Sequence, residues 1–322
     1  MTDLLRLPTA LDVEAAHANI LGRARRTPLW RLDADLPDTR IWLKLENLQP
    51  LGAFKLRAAL HALRSANPDA LRKGALAPSS GNFGLGLAYE ARAMGVPLTI
   101  VAPDGAPKAK TDALEALGAQ VIRVPFATWW QTLNSRRFAD AEGLFFHPVA
   151  DPAVIAGNAT IGAEILEDLP EPDAIVVPFG GGGLISGVGS VMRRLRPATR
   201  IIAVETETAQ PAAAALRAGG PVTVPYTPSF VDGIGSTTLL GEMWPLVRQV
   251  VDQSLSVSLF EIAEAIRLLA FRHRVIAEGA GAASVAAALA GRAGRGDIVC
   301  IVSGGNIDAA KLAVILKGDT PS

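Results

Sequence analysis

The sequence contains one cysteine, Cys300, among 322 residues. A disulfide framework or a cysteine-based metal cluster within one chain is therefore excluded. Net charge is also missing, since 31 Lys and Arg balance 31 Asp and Glu. A nucleic-acid binder carries a basic excess or patch, and the sequence shows neither. The N-terminus lacks the basic start and long apolar stretch of a signal peptide. No apolar run is long enough to span a bilayer. These absences lead to the expectation of a soluble, cytoplasmic protein with no membrane and no nucleic-acid partner. Lysine is scarce, occurring only at Lys44, Lys55, Lys73, Lys108, Lys110, Lys311 and Lys317, which narrows the search for a reactive amine. The histidines His17, His61, His147 and His273 are scattered, and H-E-x-x-H is absent. No G-x-S-x-G surrounds Ser186, so a serine hydrolase has no support. His147, just before Pro148, reads as a packing residue.

What is present is a large apolar fraction, 49% of the residues. It suffices for a large core, and the length suggests two domains. Residues 9 to 24 read as a first helix, with Thr9 placed to cap it and Asp12 three positions on, near the capping-box pattern. Residues 41 to 45 alternate as a strand. Gln49-Pro50-Leu51-Gly52 is a turn, and Ala53 to Leu63 has helical composition. A rhythm of short apolar run, Gly- or Pro-containing turn and Ala/Leu-rich helix then repeats. Its strands fall at 75–77, 98–101, 120–124, 174–177, 201–204 and 298–302. Apolar strand runs alternating with helices predict an α/β fold with parallel sheet covered on both faces. Residues 211 to 229 read as a helix plus a surface loop.

Four stretches could carry chemistry. Gly180-Gly181-Gly182-Gly183-Leu184 follows a strand and opens an apolar helix. Backbone N–H groups there can encircle an anion at a helix N-terminus, and a phosphate is the natural guest. A plain tight turn is the competing reading, but consecutive glycines cost much conformational entropy for a plain turn. The stretch matches neither of the common nucleotide-binding glycine motifs. Lys55, in Gly52-Ala53-Phe54-Lys55-Leu56-Arg57, has apolar neighbours that favour the neutral amine required for Schiff-base chemistry. Taken alone it would read as a solvated helix lysine. Ser79-Ser80-Gly81-Asn82-Phe83-Gly84 offers hydroxyls, an amide and a helix start, a carboxylate cradle or else an ordinary capping turn. Ser303-Gly304-Gly305-Asn306 follows an apolar strand, where the ligand crevice of a parallel sheet lies.

In order and spacing, over nearly the whole chain, these motifs resemble the serine/threonine dehydratase and serine racemase family of fold-type II pyridoxal-phosphate (PLP) enzymes. The lysine motif runs from Lys44 through Glu46, Gln49, Gly52, Phe54 and Lys55 to Ala58, and Ala156-Gly157-Asn158-Ala159-Thr160 resembles a further family motif. The resemblance implies a tryptophan synthase β-like architecture of two open, parallel-type sheets covered by helices. It implies a large domain of residues 1–65 and 150–322, a small mobile domain of residues 66–149, and a homodimer. It implies that Lys55 carries PLP as a Schiff base and then moves a proton at the substrate Cα, with Phe54 beside the cofactor ring. Asn82 would bond the ring hydroxyl. Gly180, Gly181, Gly182, Gly183 and Leu184 would hold the phosphate, and Ser303 the pyridine nitrogen. Ser79, Ser80 and Gly81, with Asn82 and Phe83 beside them, would hold the amino-acid substrate. A neutral serine at the ring nitrogen weakens the electron sink and favours prompt β-elimination. The implied activity is dehydration and deamination of a 3-hydroxy amino acid of the serine/threonine type to a 2-oxo acid and ammonia.

Several positions depart from the family pattern. Phe83 stands where histidine is common, Leu85 where glutamine is, and Asn158 where glutamine is usual. Trp129-Trp130-Gln131 falls where racemase-like members carry a substrate-facing arginine. The expectation is an apolar, aromatic pocket and a substrate with a larger or less polar β-substituent than serine, although paired tryptophans also suit core packing. The divalent-cation site of racemase-like members is disrupted, with Pro211 in place of a carboxylate beside Glu205 and Ala209, so no metal is assigned, although Glu205 and Asp232 keep one open. No appended regulatory domain is expected after the Ser303 motif. Ser80 keeps a racemase with side dehydratase activity as the first alternative, because racemase-like members use serine here as a catalytic acid/base. A β-replacement enzyme is the second.

Overall fold

In the computed structural model, which describes residues 5–34 and 36–321, ten strands form two sheets. The strands are β1 (Leu29–Arg31), β2 (Thr39–Lys44), β3 (Ala75–Ala77), β4 (Leu98–Pro103), β5 (Gln120–Val124), β6 (Leu144–Phe145), β7 (Ala174–Pro178), β8 (Arg200–Thr206), β9 (Gln253–Val257) and β10 (Gly296–Ile301). The helices between them are α1 (Ala10–Ile20), α2 (Lys55–Ser65), α3 (Asn82–Met94), α4 (Lys108–Ala116), α5 (Phe126–Ser135) and α6 (Pro152–Asp168). They continue with α7 (Gly183–Leu195), α8 (Pro211–Ala218), α9 (Trp244–Val250), α10 (Leu259–Leu268), α11 (Gly279–Leu289) and α12 (Ala309–Lys317).

The larger sheet has the order β1-β2-β10-β7-β8-β9, and only the β1–β2 pair is antiparallel. The smaller has the order β5-β4-β3-β6 and is wholly parallel. Every residue of β7 is buried, as its unbroken apolar run requires of a central strand with helices on both faces. One face of the larger sheet packs Ile41, Val176 and Ile202 against Ile262 and Ile266 of α10 and Val285 of α11. The other packs Ile175, Val177 and Ile201 against Ile185 and Val188 of α7. The α/β class and the pair of helix-covered sheets are as the sequence predicts.

Helix α2 packs between α3 and α6 at very close approach to both. A Cβ on Gly157 of α6 would fall 2.8 Å from the Ala58 Cα, and one on Gly86 of α3 would fall 2.8 Å from the Ala59 Cβ. Only glycine permits such an approach. The first residue of this wedged helix is Lys55.

Three strands escape the sequence reading. β1 and β6 are too short to show a period, and β9 is a polar edge strand, Gln-Ser-Leu-Ser-Val. Helix α1 has the expected Thr9–Asp12 capping box but stops at Ile20 rather than residue 24. Gly22 turns the chain at φ 74°, the left-handed conformation that ends helices.

Candidate active site

The turns after β3, β7 and β10 converge on one cavity of about 250 Å³, at strand C-termini as open parallel sheets dictate. Phe54, Lys55, Ser79, Gly81, Asn82, Phe83, Gly180, Gly181, Gly182, Gly183, Leu184 and Ser303 all line it. Ser80 is the one expected site residue outside that lining.

The turn ahead of Lys55 is zipped to the loop after β10. The Phe54 N–H donates to the Ser303 carbonyl (2.9 Å), and the Gly305 N–H donates to the Gly52 carbonyl (2.8 Å). The Asn306 amide donates to the Leu51 carbonyl (2.8 Å) and to Asn82 Oδ1 (2.9 Å). Lys55 and Ser303, far apart in sequence, are thereby held in one rigid wall. The Lys55 Nζ donates to the Pro148 carbonyl at 2.6 Å and stands 5.3 Å and 5.7 Å from the ring centres of Phe54 and Phe83. Burial among these groups lowers the amine from its ordinary 10.5 to about 8. Behind it, Arg57 is fully buried and bridges Glu46 (2.8 Å) and Glu164 (2.6 Å), and Lys44 joins Glu164 at 2.6 Å. Thr160 adds its hydroxyl as an acceptor for Arg57 at 3.3 Å, so the 156–160 motif supports the lysine helix from α6.

The glycine turn leads into α7, with Gly182 at φ 91°. Space constrains Gly181 and Gly182. A Cβ on Gly181 would lie 2.7 Å from Val149 Cγ2, and one on Gly182 would lie 3.0 Å from Val247 Cγ2. The result is a strip of bare backbone at a helix N-terminus, an anion cradle. At the opposite wall, Gly81 caps α3, and the Ser79 hydroxyl accepts the Gly84 N–H at 3.2 Å.

Three further residues line the cavity, of which the sequence reading named only Asp232, as a possible cation ligand. Glu278, at the start of α11 and 7% exposed, sits with Oε1 3.5 Å from the Asn82 amide. Burial, with Asp232 nearby, pushes its carboxyl up to about 7. Gly304 lies directly beneath it, and a Cβ there would fall 2.6 Å from Oε1 and force the carboxylate to move. Lys110 and Asp232 pair at 2.7 Å on the cavity wall. The only sequence hint of Glu278 is a lone carboxylate inside the small-residue run Ala277-Glu278-Gly279-Ala280-Gly281.

One expectation needs correction, and one possibility left open finds its residues engaged elsewhere. Trp129 and Trp130 do not line the cavity. They lie on α5, where Trp129 packs against the Leu76, Val101 and Val124 cluster of the smaller sheet. The apolar wall comes instead from Phe54, Phe83, Val149 and Ile234. Glu205, considered as a cation ligand, is occupied by donors: the N–H groups of Ala212 (2.7 Å) and Ala213 (2.9 Å) and the Ser254 hydroxyl (2.7 Å). It caps α8. Asp232 is taken by Lys110.

Residues 20–304 match a family model described as pyridoxal-phosphate dependent enzyme. The chain is 38% identical to L-threonine ammonia-lyase of Geobacter sulfurreducens, over 97% of this chain and 78% of that protein. It is 34% identical to serine racemase of Bos taurus, over 96% of each. Among solved structures, maize serine racemase superposes with a TM-score of 0.88 at 30% identity, covering 96% of both chains.

Proposed function

The chain belongs to the pyridoxal-phosphate-dependent enzyme family, and from that premise we propose that it removes ammonia from a 3-hydroxy amino acid of the serine/threonine type, leaving a 2-oxo acid. The observation that carries this reading is the desolvated Lys55 amine facing a cavity that also contains the bare-backbone turn of α7. PLP fits these residues: an amine of lowered basicity to attach its aldehyde, and bare backbone for its phosphate at a turn where a Cβ on Gly181 or Gly182 would collide with Val149 or Val247. When bound, PLP supplies an electron sink at the substrate Cα, and the protein sets which bond breaks.

The chain's own groups divide the remaining work. Lys55 takes the Cα proton, and its low basicity keeps the neutral amine available near pH 8. The N–H groups of residues 180–184 bind the phosphate. Ser303, 2% exposed, offers the ring nitrogen a neutral hydroxyl, and Asn82 holds the ring hydroxyl. Ser79 and Gly81, beside Asn82 and Phe83, receive the substrate carboxylate at the start of α3. Glu278 keeps a proton within the cavity wall up to about pH 7. Phe83 and Val149 favour a β-methyl group over hydrogen, so L-threonine is preferred to L-serine. We further propose that residues 66–149, which contain the whole smaller sheet, close as a unit onto residues 1–65 and 150–322. The Lys110–Asp232 and Arg136–Glu242 pairs connect the two parts. The reading includes a cytoplasmic homodimer, in which exposed Leu11 and Leu21, on and beside α1, would be covered by the partner.

The test is a visible spectrum of the protein with PLP, together with 2-oxo acid measured across a panel of 3-hydroxy amino acids. The reading expects a cofactor band that Lys55→Ala abolishes, and oxo acid formed fastest from L-threonine. Inverted amino acid without oxo acid would instead favour a racemase, the reading that requires Ser80. Much faster turnover of L-serine than of bulkier substrates would refute the size preference.

A further inference from the structure

One turn with no assigned chemistry touches both the amine and the phosphate cradle. It is His147-Pro148-Val149-Ala150, between β6 and α6. The His147 ring is 1% exposed, and its Nδ1 accepts the N–H groups of Val149 (3.1 Å) and Ala150 (2.8 Å). An Nδ1 that accepts two hydrogen bonds carries no proton, so the neutral ring bears its proton on Nε2. Burial, then Arg136 and Lys55, hold its pKa down at about 3. Its Nε2 turns toward the Glu242 carboxylate, 3.8 Å away. The next residue, Pro148, offers Lys55 its carbonyl at 2.6 Å. Val149 lies under the glycine turn, where Cβ atoms on Gly181 and Gly183 would come within 2.7 Å of its Cγ2 and 3.1 Å of its carbonyl oxygen. Arg136 fastens the end of the same turn, donating to the Ala150 carbonyl at 2.6 Å.

We propose that His147 is a positioning residue for the cofactor: its two backbone hydrogen bonds hold the Pro148 carbonyl against the Lys55 amine and Val149 beneath the phosphate cradle. This rests on the PLP reading above. A histidine that merely filled core space could be exchanged for phenylalanine without disturbing cofactor binding. One that shapes the turn could be replaced only by another acceptor of suitable reach.

Apoenzymes of the wild type, His147→Asn and His147→Phe are titrated with PLP by absorbance, with circular dichroism and melting as controls. Asparagine at the head of a turn brings Oδ1 within reach of the N–H groups two and three residues on. His147→Asn is therefore expected to bind PLP within about threefold of wild type, whereas His147→Phe, leaving buried N–H groups unpaired, binds at least about tenfold more weakly while still folded. Affinity in folded His147→Phe within about twofold of wild type, or a loss in His147→Asn as large as in His147→Phe, overturns the proposal. Should His147→Phe fail to fold, the nitrogen NMR shifts of wild-type His147 decide. A bare Nδ1 and protonated Nε2 are expected, and the reverse tautomer overturns the assignment. A wild type that takes up no PLP would sink the functional reading itself, and the proposal with it.

Discussion

Replacing Glu278 by glutamine isolates the cost of a buried carboxylate in the cavity wall. The folded carboxyl titrates at about 7 rather than its ordinary 4.5, because burial and Asp232 oppose its charge. Below pH 4.5 the group is protonated in both folded and unfolded chains and contributes no pH dependence. Between 4.5 and about 7 the unfolded chain has released its proton and the folded chain has not, so stability falls as pH rises. Above about 7 both are ionised and the loss is complete. At ~1.4 kcal/mol per pH unit, that interval amounts to about 3 kcal/mol. Glutamine keeps an oxygen for the Asn82 amide and never ionises. Urea unfolding of the apoenzymes, at about pH 4.5 and about pH 8, reads the difference. The two proteins should differ little in their ranking of stability at the lower pH relative to a gain of about 3 kcal/mol for Glu278→Gln at the higher. A difference between the two proteins that stays the same at both values would refute the reasoning, since a lost packing contact does not titrate.

The lowered Lys55 amine sets a second expectation. The rate of PLP uptake by apoenzyme should rise with pH and level off near 8, and a rise continuing to the ordinary lysine value would contradict the desolvation. Gly181→Ala forces a methyl group onto Val149, 2.7 Å away. It should weaken PLP binding by roughly tenfold in an absorbance titration, the scale of an overpacked contact; unchanged affinity would show that the cradle can relax. Arg57→Met strands the buried Glu46 and Glu164 carboxylates. It should destabilise the fold by about 3–5 kcal/mol in denaturant unfolding, and a loss below about 1 kcal/mol would mean that Lys44 and solvent compensate.

The features readable from the residues alone are those whose cause is local. A short β-branched run such as Ala174-Ile175-Val176-Val177, followed by a glycine turn, reads as a strand buried on both faces. Glycines 180–183 mark bare backbone because no other residue provides it, and the lysine, serine and glycine turns are continuous strings. The family and its cofactor follow from their order. Nothing local marks Glu278, whose partner Asn82 is 196 positions away. Its isolation from water, and hence its altered acidity, exists only once α3, α11 and the loop after β10 pack together. The tryptophans show the converse: their chemistry is visible in the chain, but the face of α5 that meets the sheet decides that Trp129 packs, half-buried, against the smaller sheet and not into the pocket. His147 combines both cases, since a histidine before proline is an ordinary string. Its influence on Lys55 arises from two hydrogen bonds across a turn and one carbonyl 93 positions from the amine. Backbone geometry is encoded by neighbours along the chain, whereas desolvation and the direction of a buried dipole depend on what folding brings alongside.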